Sequence, residues 1–295
     1  MNKILTLILC CFSLIGAAQN NLKTLKANIE NRLKGIDGNF AVAFKDLQTG
    51  KTLYINEKEN FHAASTMKTP VMIELFKQVN QQKINLEDSV LIKNEFKSII
   101  DGSLYSLDID VDSDDIIYKN IGKKMKIYDL CYLMITVSSN FATNILIEKV
   151  GAENVMTTMK QLGANDIRVL RGVEDSKAFQ AGKNNTTNAF DLALIFEKIA
   201  KKQIENKATC EAMTKILLDQ KFNEIIPAQL PKDVKVAHKT GSITGVQHDS
   251  GFVILPNDKK YILVLLSKNL KNTEAAVAAM ADISKMIYGF VNDKK

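Results

Sequence analysis

The 295-residue chain has only four cysteines and three histidines, and this scarcity argues against both a disulfide framework and a histidine metal site. Beyond the amino-terminal region only Cys131 and Cys210 remain, which are too few and too distant in sequence for a disulfide framework. Cys131 lies in an apolar stretch, so we predict a buried, inert thiol. The histidines are His62, His238 and His248. None stands at metal-ligand spacing from another, so we expect no metal site and interpret all three as structural residues.

The chain also lacks blocks of like charge, low-complexity linkers and internal repeats. Its formal charge of +6 is spread along the sequence without a basic arm, which argues against nucleic-acid binding. With 46% hydrophobic and 24% charged residues, the chain can form one large core or two joined lobes. A disordered or fibrous protein is therefore excluded. The mild excess of lysine is compatible with an anionic small molecule or wall polymer, but it does not select among partners.

The only long apolar run is at the amino terminus. Lys3 precedes an uninterrupted apolar stretch over residues 4–15, and three small residues follow at 16–18. This pattern is typical of a signal peptide over residues 1–18. Cys10 and Cys11 lack the small preceding residue that a lipidated cysteine requires. The run is too short for a membrane span and no later segment is longer, so we expect an exported, periplasmic or secreted protein without stable membrane insertion.

The spacing of hydrophobic residues changes along the chain from period two to helical and back again. Strand patterns cover 40–44, 52–55, 234–239, 251–255 and 261–267, and helical patterns cover 22–33, 66–79, 127–137, 141–150, 155–162, 190–200 and 273–291. We therefore predict a mixed α/β (α+β) fold, with an antiparallel sheet from both termini, packed terminal helices and an inserted all-helical lobe. One domain would span 19–295, its sheet lobe covering about 19–64 and 228–295 and its helical lobe about 65–227. A site is expected in the cleft between them.

An unusual acidic segment runs from Asp108 to Asp115. Its alternating aspartates superficially resemble a calcium loop. The segment lacks glycine at the sixth position and glutamate at the twelfth, whether counted from Asp108 or Asp110. We therefore predict a solvated acidic loop.

Three short motifs carry candidate chemistry, and the first is Ser65-Thr66-Met67-Lys68. At the start of a helix this spacing places the hydroxyl of Ser65 and the amine of Lys68 on one side. A deprotonated lysine can take the serine proton, and the helix amino terminus favours negative charge nearby. Taken alone, the motif favours the simpler interpretation of Ser65 as a helix N-cap and Lys68 as an ordinary surface lysine.

The other two motifs are also ambiguous when taken singly. Ser138-Ser139-Asn140 falls between two helical patterns, where Ser139 or Asn140 could simply cap the next helix. Lys239-Thr240-Gly241-Ser242 ends a strand pattern, and a basic strand end followed by a glycine turn would explain it. A Ser-His-Asp triad also stays open because triads assemble in space, although the chain has no Gly-x-Ser-x-Gly elbow.

In this order and context, the three motifs resemble those of the serine penicillin-recognising enzymes, and chain size and lobe order resemble class A β-lactamases. The resemblance covers residues 22–291. It implies that Ser65 is acylated, that Lys68 accepts its proton and that Ser138 passes a proton to the departing nitrogen. The residues that would bind substrate are Asn140, Lys239, Thr240, Gly241 and Ser242. The backbone N–H groups of Ser65 and Ser242 would form the oxyanion hole.

The resemblance is less complete at the carboxylate that would activate water for deacylation. Glu174 is the candidate, three residues after Arg171 instead of two. Ala178 replaces an expected asparagine, and Asn184-Asn185 stands where an aspartate is usual. The alternative is that Glu174 and Asp175 are solvated loop charges paired with Arg171.

Two further departures concern the substitution of Ser139 for the usual aspartate of Ser-Asp-Asn and the longer segment between Ser65 and Ser138. The role implied for the substituted position is scaffolding, so we expect little chemical effect. The longer segment contains the acidic loop and could reshape the mouth of the cleft.

The resemblance implies an exported serine β-lactamase that hydrolyses the β-lactam amide through a Ser65 acyl-enzyme. The alternatives are a penicillin-recognising peptidase or amidase acting on cell-wall peptides and a β-lactam receptor without turnover. Glu174 discriminates among them, because a receptor is acylated and then stalls. We expect a monomer that uses a small-molecule substrate and no cofactor.

Overall fold

Strands from the two ends of the chain form a five-stranded antiparallel sheet. The computed structural model describes residues 22–292. The strands are β1 (Asn39–Asp46), β2 (Thr52–Ile55), β9 (Lys235–Ile243), β10 (Val246–Ile254) and β11 (Lys260–Lys268). They lie side by side in the order β2-β1-β11-β10-β9. The predicted mixed fold with a sheet built from both termini is confirmed.

The period-two pattern of β1 divides its residues between the two faces of the sheet. Phe40 and Phe44 belong to a core formed with the terminal helices, whereas Ala41 belongs to the core shared with the helical lobe. The terminal helices are α1 (22–33) and α9 (Thr273–Asn292). Full burial of a phenylalanine such as Phe44 contributes about 1.5–3 kcal/mol, which helps to hold the terminal helices against their face of the sheet.

The helical lobe lies between β2 and β9 in sequence. Its helices are α2 (Lys68–Asn80), α3 (Ile127–Thr136), α4 (Asn140–Val150), α5 (Ala152–Leu162), α6 (Ser176–Gln180), α7 (Ala189–Ala200) and α8 (Lys207–Leu218). Helix α2 is buried along most of its length and contacts α3, α4, α5 and α8. A short 3₁₀ helix, Ala64–Met67, leads into α2. Because α2 lies at the centre of the lobe, the residues at its start are held rigidly.

Three two-stranded ribbons were not predicted from the sequence. They pair β3 (Phe61–His62) with β8 (Thr186–Thr187), β4 (Ser89–Leu91) with β7 (Lys124–Lys126), and β5 (Phe96–Lys97) with β6 (Leu104–Tyr105). Strands of two or three residues are too short to show a periodic pattern.

Two local expectations differ from the structure. The alternative role of Ser65 as an N-cap is excluded, because Ser65 lies within the 3₁₀ helix and neither that helix nor α2 has a side-chain cap. Strand β10 begins at Val246 instead of residue 251. The missed residues include His248 and Asp249, which are polar and fully buried, so they carry no apolar alternation.

The two cysteines of the described residues are both free and buried. Burial raises the pKa of the Cys131 thiol to about 12, which confirms the prediction of an inert thiol. The predicted signal peptide, residues 1–18, lies outside the described residues. Between residues 22 and 292, no helix has the length and apolar character needed to cross a membrane.

Candidate active site

A cleft of about 1250 Å³ lies between the sheet and the helical lobe, and all three motifs contribute to its walls. Its lining includes Ser65, Ser138, Asn140, Glu174, Thr240, Gly241 and Ser242. Lys68 and Lys239 lie beneath this surface and are fully buried. The structure thus brings together every residue that the sequence predicted for the site.

Ser65 lies where the 3₁₀ helix packs against β9. The preceding residue, Ala64, has a left-handed backbone with φ of 44°, and its N–H donates to Nδ1 of His62 at 3.0 Å. On the other side, a Cβ on Gly241 would lie only 3.1 Å from the backbone nitrogen of Ser65. The absence of a side chain at Gly241 therefore allows the strand bearing Ser242 to approach the amide of Ser65.

The hydroxyl of Ser138 lies between two buried lysine amines. Nζ of Lys239 donates to it at 3.0 Å, and Nζ of Lys68 lies 3.2 Å away. Lys68 also donates to the backbone oxygen of Ser138 at 2.6 Å. Ser138 has a left-handed backbone, with φ of 60°. With two amines donating to its oxygen, the Ser138 hydroxyl proton is free to point elsewhere in the cleft.

The environment of these lysines favours their neutral forms. Burial lowers the pKa of Lys68 to about 7, although the carboxylates of Asp112 and Glu174 oppose this change. Burial and the neighbouring Lys68 amine also hold the pKa of Lys239 well below its usual range. Lys68 is therefore able to accept a proton near pH 7, which an ordinary lysine rarely does.

Asn140 connects Lys68 to the candidate carboxylate. Its Oδ1 accepts a hydrogen bond from Nζ of Lys68 at 2.9 Å, and its Nδ2 donates to Oε1 of Glu174 at 3.4 Å. Glu174 is exposed to the cleft and has a left-handed backbone, with φ of 62°. Asn140, the first residue of α4, thus contacts both the Lys68 amine and the Glu174 carboxylate, the two groups that could exchange protons in the cleft.

The loop that carries Glu174 is anchored by asparagines. Asn144 is fully buried, and its side chain accepts from the Val173 N–H at 2.6 Å and donates to the Val173 carbonyl at 3.0 Å. Asn185 bonds the backbone of Leu170 and Arg171 with both ends of its amide. An amide therefore anchors the loop where the family pattern led us to expect an aspartate. The helical spacing of α4 contains no signal for the role of Asn144, because the partner lies 29 residues away.

The alternative in which Arg171 pairs with solvated loop charges is wrong for Asp175. Asp175 is buried, accepts from Ala178 N–H as the N-cap of α6, and also binds the Ser98 hydroxyl. The guanidinium of Arg171 instead donates to the carbonyls of Gly172 and Lys183. Asp175 and Arg171 thus bind different partners: Asp175 binds the start of α6 and Ser98, and Arg171 binds backbone carbonyls on either side of α6.

The prediction of a solvated acidic loop at Asp108–Asp115 is wrong in its central part. Asp108, Asp110 and Asp115 are exposed, but Asp114 is buried, and burial raises the pKa of its carboxyl. Asp112 accepts hydrogen bonds from the start of α4. Asp112 precedes these two partners by 28 and 29 residues, so no local pattern could reveal the contact.

The histidines do not form a Ser-His-Asp triad. His238 is buried, with Nδ1 2.8 Å from Asp249 Oδ1, and its Nε2 faces Asn223, not a serine. His248 is also buried and bonds the backbone carbonyl of His62. Among the residues that the structure describes, no group of three or more His, Cys, Asp or Glu side chains is placed to hold a metal ion.

This fold, with a buried lysine behind a cleft serine and a second lysine on the facing strand, defines the serine penicillin-recognising class. The model of the β-lactamase enzyme family matches residues 24–291, so the chain belongs to that family. The resemblance to class A β-lactamases is confirmed.

Curated relatives and solved structures are similar to this chain over most of its length. The β-lactamase VEB-1 of Pseudomonas aeruginosa is 24% identical, over 100% of this chain and 99% of its own. A class A β-lactamase from Bacteroides cellulosilyticus has a structure with a TM-score of 0.78 and 24% identity, covering 93% of this chain and 99% of its own. The structure of PBP-A is similar at a TM-score of 0.77 and 25% identity, covering 90% and 94% respectively.

Proposed function

We propose that this protein is an exported serine β-lactamase that opens the β-lactam amide through an acyl-enzyme on Ser65. The observation that carries the proposal is the placement of the Ser138 hydroxyl within 3.2 Å of two buried amines, those of Lys68 and Lys239. Such a hydroxyl can relay a proton toward a leaving group. Family membership and the named relatives support the reaction, and the apolar amino-terminal run supports export.

Acylation begins when neutral Lys68 takes the hydroxyl proton of Ser65. The oxygen attacks the lactam carbonyl carbon, and the resulting oxyanion is bound by the N–H groups of Ser65 and Ser242. As the carbon–nitrogen bond breaks, Ser138 gives its proton to the departing nitrogen and recovers one from Lys68. The relay from Lys68 to Ser138 needs no rearrangement, because their side-chain atoms lie 3.2 Å apart.

Substrate is oriented by the other wall of the cleft. Lys239, Thr240 and Ser242 would hold its carboxylate, and the buried amine of Lys239 would donate a hydrogen bond to it. Gln247 donates to the hydroxyl oxygen of Ser242 at 2.8 Å, which leaves the hydroxyl proton available to an anion. Asn140 would bind the side-chain amide of the substrate from the opposite lobe.

Deacylation requires a base for water, and Glu174 is the proposed residue. It lines the cleft, contacts Asn140 and follows Val173, which Asn144 clamps through both backbone groups. A carboxylate held in this way can take a proton from water as that water attacks the ester of Ser65.

The second candidate is an enzyme or receptor that is acylated but does not release the adduct efficiently. The similarity to PBP-A supports it, because one of the solved structures of a PBP-A variant is an acyl-enzyme complex with penicillin G. Both functions need Ser65, Lys68 and Ser138. They differ in whether Glu174 completes the cycle.

The test follows the intact mass of the protein over time after mixing with a penicillin. The parent should show a transient adduct and recover its original mass, while Ser65→Ala should show no adduct. In Glu174→Gln the adduct should persist, because the amide retains the shape of the carboxylate and loses its basicity. General-base catalysis is worth about 10²–10⁴-fold, so adduct lifetime should increase by that factor.

Glu224→Gln is the matched control, because Glu224 also lines the cleft but lies on the segment preceding β9. This variant should release the adduct like the parent. A permanent adduct on the parent would favour the receptor or peptidase, and a parent without any adduct would refute the proposed acylation.

A further inference from the structure

The acidic segment turns inward at Asp112, where its carboxylate reaches the start of α4. Oδ1 of Asp112 accepts from the backbone N–H of Asn140, and Oδ2 accepts from that of Phe141, both at 2.9 Å. Tyr118 also donates its hydroxyl to Oδ2 at 3.2 Å. A carboxylate with three donors is fixed in position.

These contacts complete the amino terminus of α4. The first N–H groups of a helix have no partner within it and attract negative charge. Among these helix N–H groups, the Ser139 hydroxyl accepts from that of Ala142. The N–H groups of Asn140 and Phe141 are therefore satisfied from outside the helix, by Asp112.

Ser113, the next residue of the segment, contacts the other side of the same loop. Its hydroxyl donates to the carbonyl of Val137 at 2.7 Å and lies 3.2 Å from that of Ser138. Asp112 and Ser113 thus bind the backbone on both sides of Ser138, a residue whose own backbone is left-handed. A non-glycine residue in this conformation needs such external support.

We propose that Asp112 is a positioning residue for the reaction: its carboxylate binds the first N–H groups of α4 from the acidic segment, and it thereby fixes Ser138 and Asn140 against Lys68. The inference rests on the proposed acylation of Ser65. Because Oδ1 of Asn140 accepts a hydrogen bond from Nζ of Lys68, a displacement of the Asn140 backbone would also displace the Lys68 amine.

The negative charge of Asp112 also affects the pKa of Lys68, which an uncharged contact with the backbone would not do. Its carboxylate favours the ammonium form of Lys68, and therefore raises a pKa that burial lowers. Asp114 and Tyr118 are the titratable groups that Asp112 acts on beside Lys68. Lys68 is also affected by the carboxylate of Glu174 and faces the amine of Lys239. Loss of the Asp112 charge should lower the pKa of Lys68. The pH at which the rate of Ser65 acylation falls to half of its plateau should therefore move down.

The experiment compares Asp112→Asn with Asp110→Asn, which removes the same charge from an exposed position in the same segment. The rate of adduct formation with a fluorescent penicillin is measured from pH 5 to 9. Asp112→Asn should lower the plateau rate at least tenfold and move the acid midpoint down. Asp110→Asn should match the parent. Asp112→Glu retains the charge but displaces the oxygens, so it should lower the plateau and leave the midpoint unchanged.

Backbone amide exchange gives a readout independent of activity. In Asp112→Asn the amides of Asn140 and Phe141 should exchange at least tenfold faster than in the parent, while those of Asp110→Asn stay unchanged. Unchanged exchange together with a parental pH profile would overturn the inference. If the parent forms no adduct, the proposed function fails, and the exchange rates alone decide whether Asp112 holds α4.

Discussion

The low pKa of Lys68 predicts how acylation should depend on pH. With a pKa of about 7 instead of 10.5, about half of the Lys68 amines are neutral at pH 7, against roughly one in 3,000 for an ordinary lysine. Below pH 7 the neutral fraction falls about tenfold for each pH unit. The acylation rate should therefore rise with this slope up to pH 7 and become constant above it.

The measurement is best made in Glu174→Gln, where the adduct accumulates and Glu174 cannot act as a competing base. Rapid mixing with a chromogenic cephalosporin gives the single-turnover acylation rate at each pH. Because the Glu174 carboxylate raises the pKa of Lys68, its removal should place the acid midpoint below 7. Lys68→Arg serves as control, since arginine keeps the charge and does not deprotonate. It should be inactive throughout.

Two results would refute this reasoning. A rate that is constant from pH 5 to 9 would show that no group titrating near neutrality limits acylation. A midpoint that rises on Glu174→Gln would have the wrong sign for the loss of a neighbouring negative charge, and Lys68 would then not be the titrating base.

Two further substitutions test the supports of the site. Asn144→Ala removes the hydrogen-bond partner of both Val173 backbone groups. We expect denaturant unfolding to show a loss of about 1–3 kcal/mol in folding free energy. Deacylation should slow by a larger factor than acylation, because the lost contacts hold the loop that carries Glu174. Equal slowing of both steps would contradict a specific role in holding Glu174. In Gly251→Ala the new Cβ would lie 2.3 Å from the Ala237 carbonyl oxygen, so strands β9 and β10 must separate. The melting temperature should fall by several degrees, and an unchanged value would contradict this packing.

The sequence allowed the main parts of the site to be predicted because each of its motifs has a local geometry. The spacing of Ser65 and Lys68 and the strand carrying Lys239 depend on residues close in the chain. Their meeting in one cleft followed from their order, through the resemblance to a known class. Local pattern placed each motif on a helix or strand, and the family resemblance supplied its role and the assembly of the three motifs in one cleft.

The contacts that support the site could not be predicted in this way. Asp112 binds residues 28 and 29 positions later, and Asn144 binds a loop 29 positions later. In sequence both look like ordinary polar residues on a loop or helix. Ser65 likewise looks like a helix cap, because the tight packing of the 3₁₀ helix against Gly241 exists only after β9 returns from the other end of the chain.

Backbone strain at the cleft has a consequence for how this protein can change over time. Ala64, Ser138 and Glu174 all have left-handed backbones, and such residues cost about 1–3 kcal/mol each, against a typical folding free energy of about 5–15 kcal/mol. Glycine at these positions would relieve strain and also free the backbone that aims the reacting groups. Selection for thermal robustness therefore conflicts with catalysis at the cleft, and variants that tolerate heat should accumulate on the opposite face of the sheet, beneath α1 and α9.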